Sequence, residues 1–150
     1  MFSVLKSLFL AVLIGAAAIQ GAPTKRQIGN LQCNINRVQI VSALAQMGGT
    51  LKTLKKETAN DATASAAVAA AQTGLDTANQ GVATIAKALV TGQAAPADAR
   101  TQVEDGLNAV LSATQNATST DPQVTSDFQK LTTQLTAAGK AGDGVLANCK

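Results

Sequence analysis

Apolar side chains recur along most of this chain at alternating steps of three and four, the spacing that lines one face of an α-helix. In the first such segment the row is Cys33, Arg37, Ile40, Leu44, Met47, Leu51 and Leu54, with Ile35, Val38 and Val41 widening it. Gly48 and Gly49 interrupt the row. Each costs about 1 kcal/mol relative to alanine inside a helix, so a kink or break is expected there. The second segment is the most regular, with Val68, Ala71, Leu75, Ala78, Val82, Ile85 and Leu89 between Asp61 and Gly92. Asp61 or Thr63 is placed to cap its start and Gly92 to end it.

Pro96 opens a third helix near the position that tolerates proline. Its line is Ala99, Val103, Gly106, Val110 and Ala113, with Leu107 and Leu111 alongside, and it fades over residues 116–120. Asp121 and Pro122, a capping residue before a first-turn proline, begin a fourth helix. That helix carries Val124, Phe128, Leu131, Leu135, Ala138, Gly142, Val145 and Cys149, and Gly139, Gly142 and Gly144 weaken its last turns. Four amphipathic segments with short connections predict an all-α fold, an antiparallel up-down-up-down four-helix bundle.

Cys33 and Cys149 are the only cysteines, and both fall on the apolar seam of their helices. In an up-down-up-down bundle the start of helix one and the end of helix four share a pole, so a disulfide between them is expected to staple it. Two cysteines without any histidine do not complete an ordinary zinc site.

The stretch before these segments reads as an address. Lys6 precedes an apolar run from Leu8 to Ala18 that is too short to span a bilayer, so residues 1–21 are expected to be a signal peptide. Cleavage is expected after Ala18 or Gly21. Residues 22–26 form a short propeptide ending in the dibasic pair Lys25 and Arg26, leaving 27–150 as the helical domain, with Gln27 first. No second apolar segment follows and Lys150 ends the sequence without an anchor signal, so a released extracellular protein is predicted.

Processing changes the charge. The full chain has 12 Lys plus Arg against 9 Asp plus Glu, and Lys6, Lys25 and Arg26 supply the whole excess. The remaining domain is balanced, which argues against nucleic acid as a partner. Lys52, Lys55, Lys56 and Glu57 form the one cluster and read as a solvated helix face.

Catalytic candidates are few. Beyond the signal there is neither histidine nor tyrosine, which excludes the usual serine and cysteine triads. Glu104 and Asp105 adjoin, but helix neighbours project about 100° apart and do not make the facing carboxylates of a glycosidase. No enzyme activity, cofactor or metal is expected. Asn116, Ala117 and Thr118 form a glycosylation sequon, and the hydroxyls of residues 118–120 are candidates for O-linked sugar.

Phe128 is the lone aromatic residue after the signal, and Ala71, Ala78, Gly106, Ala138 and Gly142 put small groups where a core holds large ones. Small core residues allow either close helix approach or an apolar cavity suited to an acyl chain. Amphipathic helices without aromatic anchors can also part at the unstapled pole and spread on a hydrophobic surface. The candidate apolar ligand face is Leu44, Met47, Leu51, Leu75, Val82, Ile85, Val103, Val110, Phe128, Leu131 and Leu135.

Around the junction of helices two and three, Ile85, Leu89, Gly92 and Pro96 followed by Val103, Gly106 and Leu107 give a layout that resembles the fungal hydrophobic surface binding protein A family, also called cell wall galactomannoproteins. The likeness extends loosely over residues 27–149, and the dibasic site fits a fungal secretory route. The resemblance implies a secreted, all-helical protein that associates with hydrophobic surfaces or small lipids and with the cell wall and carries no catalytic motif; a monomer is expected. Plant pectin methylesterase and invertase inhibitors are also small secreted bundles, but their N-terminal cysteine hairpin has no counterpart here. The alternative function is a protein-interaction module, either a wall component or a host-directed effector.

Overall fold

A computed structural model describes residues 31–149; the expected signal segment and dibasic site lie outside them. Among the described residues there are four helices, α1 (Leu31–Glu57), α2 (Ala62–Val90), α3 (Ala97–Gln115) and α4 (Pro122–Asn148), in an antiparallel bundle. None is long and apolar enough to cross a membrane.

The boundaries follow from capping chemistry. The Asp61 carboxylate accepts the Ala64 amide at 3.0 Å, satisfying one of the free donors that begin α2. At its other end the Gly92 amide donates to the Leu89 carbonyl at 3.0 Å and the Gln93 amide to Ala88 at 2.8 Å. This paired closure requires a left-handed residue after the cap, and Gly92 supplies it at φ +72°. Pro96 caps α3 from just outside, without a side-chain bond. Asp121 accepts the Gln123 amide at 2.8 Å and Pro122 occupies the first turn of α4.

The expected break at Gly48 and Gly49 does not occur, for α1 runs through both. Met47, Thr50 and Leu51 around them are buried, so tertiary packing outweighs the cost of two helical glycines.

The four helices do not pack equally. α2 lies closely along α3 and α1 along α4, while contacts between these two layers are thinner, and thinner between α3 and α4 than between α1 and α2. Glycines set the first pairing. A Cβ at Gly74 would fall 2.8 Å from the Gly106 carbonyl oxygen, and one at Gly106 would fall 2.5 Å from the same oxygen of Gly74. One turn pair further along, a Cβ at Gly81 would fall 2.7 Å from the Ala99 carbonyl oxygen. Small residues therefore bring the backbones of α2 and α3 together and leave no void.

The α1–α4 layer is held differently. Cys33 and Cys149 form a disulfide with Cα atoms 5.0 Å apart. Buried Thr50 donates to Gln134 Oε1 at 3.0 Å. Gly144 leaves room for buried Asn36, whose Nδ2 would lie 2.5 Å from a Cβ there. Between the layers sits the core of Met47, Leu51, Leu54, Val68, Leu75, Val110, Val124 and Leu131, each at most 3% exposed.

Both chain connections between the layers, residues 58–61 and 116–121, lie at the pole away from the disulfide. There the Ser119 hydroxyl donates to Asp61 Oδ2 at 3.0 Å and ties the two connections together. At the stapled pole the disulfide and residues 91–96 each close one layer on itself. The links between the layers that run through the chain are therefore confined to the pole away from the disulfide.

Candidate binding surfaces

The structure distributes the apolar ligand-face candidates unevenly. Leu44, Met47, Leu51, Leu75, Val110, Leu131 and Leu135 are at most 3% exposed and converge in the core with Phe128. Val82, Ile85 and Val103, nearer the stapled pole, are half-buried. Val82 and Val103 pack against the core, as does Ile40. Burial fades along the same row of α2 that is closed at Leu75 and Ala78. Gly142 belongs to the same fading end, with open space where its Cβ would be.

The residues expected to widen the core stripe of α1 point the other way. Ile35 is 39%, Val38 68% and Val41 53% exposed, and Leu31 joins them at 74%. At 100° per residue, Leu31, Ile35 and Val38 fall on the side of α1 opposite Cys33, Leu44, Met47 and Leu51. This corrects the sequence reading. An apolar row on each side of one helix looks like a single broad stripe until a partner selects a face, and α4 and α2 select the other one. The outer row runs through a stretch with a single charge, Arg37, between Leu31 and Leu51. Arg37 itself is half-buried on the flank of the inner row, donates to Asn34 Oδ1 at 3.2 Å, and has its pKa lowered by burial.

A second surface feature lies between the end of α3, the connection that follows it and the first turns of α4. An open depression of about 320 Å³ is lined by Thr114, Ala117, Thr118, Ser119, Thr125, Phe128, Gln129 and Thr132. Several hydroxyls around it donate inward to the protein. Thr114 donates to the Leu111 carbonyl at 2.9 Å, Thr125 to Asp121 and Thr132 to Phe128 at 3.0 Å each, and Ser119 to Asp61. Asn116 is exposed at the end of α3 beside it, with its Nδ2 donating to the Ser112 carbonyl at 2.9 Å. Sequence reasoning treated residues 118–120 as a sugar attachment tract and did not foresee a pocket. The loose α3–α4 contact that creates it leaves no pattern in the chain.

Acidic groups adjoin at Glu104 and Asp105 and again around Glu57, Asp127 and Asp121. Glu104 is half-buried and Asp105 exposed. Burial first, and the Asp105 charge second, hold Glu104 above the ordinary carboxyl range. Glu57 is raised too, by lost hydration and then by the charge and hydrogen bond of Asp127 and the charge of Asp121. Asp61 is lowered by its bonds from Ala64 and Ser119. Among the described residues no group of three or more acidic or cysteine side chains is placed to hold a metal ion. Lys52, Lys55 and Lys56 are exposed, as a solvated helix face requires.

Comparison with protein-family models, curated proteins and solved structures finds no match to this chain.

Proposed function

We propose that this protein is a secreted, noncatalytic bundle that binds apolar surfaces through the outer face of α1. The observation that carries the reading is the exposed row of Leu31, Ile35, Val38 and Val41 on a helix whose opposite face already fills the core. The row extends for about 15 Å at 1.5 Å per residue. Leaving such side chains in water forgoes roughly 25 cal/mol per Å² of apolar area, which an apolar surface returns on contact. Having one charge nearby, Arg37, the face favours an uncharged apolar partner such as a wax, a wall surface or the chains of a small lipid. Secretion rests on the N-terminal address, and the likeness to hydrophobic surface binding proteins points in the same direction.

The experiment compares mature protein beginning at Gln27 with a double variant, Leu31→Lys and Val38→Lys, on hydrophobic and hydrophilic beads and with a fluorescent fatty acid. Adsorption to hydrophobic beads is expected to fall at least tenfold, while stability changes by no more than about 0.5 kcal/mol because both sites are solvent-facing. Equal adsorption by the variant would remove the outer face from the function. Failure of the wild type to bind either probe would leave the protein-interaction reading, with the same row as the contact for another protein.

A further inference from the structure

We propose that the depression between α3 and α4 is a binding site for a neutral sugar. Its volume, about 320 Å³, stands at the lower end of the range for small-ligand sites, about 300–1,000 Å³, and is enough for roughly one or two sugar rings. No charged side chain lines it. A phosphate or carboxylate would meet no cationic side chain in its lining.

The polar chemistry is directional. A hydroxyl has one proton to give and two lone pairs to receive, and Thr114, Thr125 and Thr132 have given their protons to backbone carbonyls, as Ser119 has to Asp61. What they can offer a ligand is acceptor capacity. The complementary molecule is rich in hydroxyl donors and uncharged. The Gln129 amide can both donate and accept, and Ala117 with the accessible edge of the otherwise buried Phe128 ring supplies a small apolar patch for the C–H groups of a sugar. Such a ligand has two sources, a glycan from outside or the chain's own glycan on Asn116. That residue directly precedes Ala117 and Thr118 in the wall of the depression.

This site is separate from the outer face of α1, and its test is independent of bead adsorption. Mature protein carrying Asn116→Gln, and therefore free of that glycan, is titrated with trimers of mannose, galactose and glucose while backbone amide NMR shifts are followed; a galacturonate trimer is the charged control. At least one neutral trimer is expected to move the amides of Thr118, Thr125, Gln129 and Thr132. The double variant Gln129→Ala and Thr132→Val should weaken that binding about tenfold, the scale of one or two lost hydrogen bonds. Glycosylated wild type identifies the source. Binding of the added trimer marks an outside glycan, whereas lost binding with sugar-to-Phe128 proton contacts marks the chain's own. No shift with any neutral trimer, shifts indifferent to the double variant, or equal binding of galacturonate would overturn the assignment.

Discussion

Asp61 joins more of the structure than its exposure implies. Its carboxylate caps α2 through the Ala64 amide and receives the Ser119 hydroxyl from the other inter-layer connection. Both bonds favour the ionised form, so its pKa falls below the ordinary 3.8. A depressed carboxyl contributes stability that is full above the unfolded value and lost as the pH falls through the folded one. Glu57 has the opposite sign: its raised pKa contributes below the ordinary 4.5 and fades as the pH rises through the folded value. Comparing wild type with Asp61→Asn cancels the Glu57 contribution. Denaturant titrations should show wild type the more stable near neutrality, with the gap closing on acidification to about pH 2. A gap independent of pH would mean that Asp61 acts without its charge.

Helix boundaries were largely legible because capping is local chemistry. Asp61, Gly92, Pro96 and the Asp121–Pro122 pair sit within two residues of where α2, α3 and α4 begin or end. Which face each helix turns inward was legible only where a single apolar row exists, as in α2 and α4. α1 has two, and the choice between them depends on helices far away in sequence. Glycine was the least legible residue, since one letter stands for opposite roles. Gly74, not singled out by periodicity, meets Gly106 where the backbones of α2 and α3 touch, whereas Gly49 faces open space. Gly106→Ala should therefore destabilise by about 1–3 kcal/mol through overpacking. Gly49→Ala should stabilise by up to about 1 kcal/mol through helix propensity. Thermal and denaturant unfolding of the two variants checks both signs at once.

At the scale of the molecule, two tight layers share a core of aliphatic side chains with little aromatic support. The disulfide spans a sequence separation of 116 and lies within one layer. Removing it by Cys33→Ser with Cys149→Ser should cost about 4–5 kcal/mol in the chain-entropy account. That is a large share of the roughly 5–15 kcal/mol by which domains are ordinarily stable, and the variant's denaturation midpoint measures it. The apolar seam and the position of the two cysteines foretold this staple. Neither the outer face of α1 nor the depression at residues 114–132 was foretold, because each is defined by what fails to pack there.

The bond between Cys33 and Cys149 also joins the two places where chain enters and leaves the bundle. Tension arriving along the flanking chain would pass through two sulfur atoms and bypass all four rods, so a molecule tethered at both ends would bear load without unravelling.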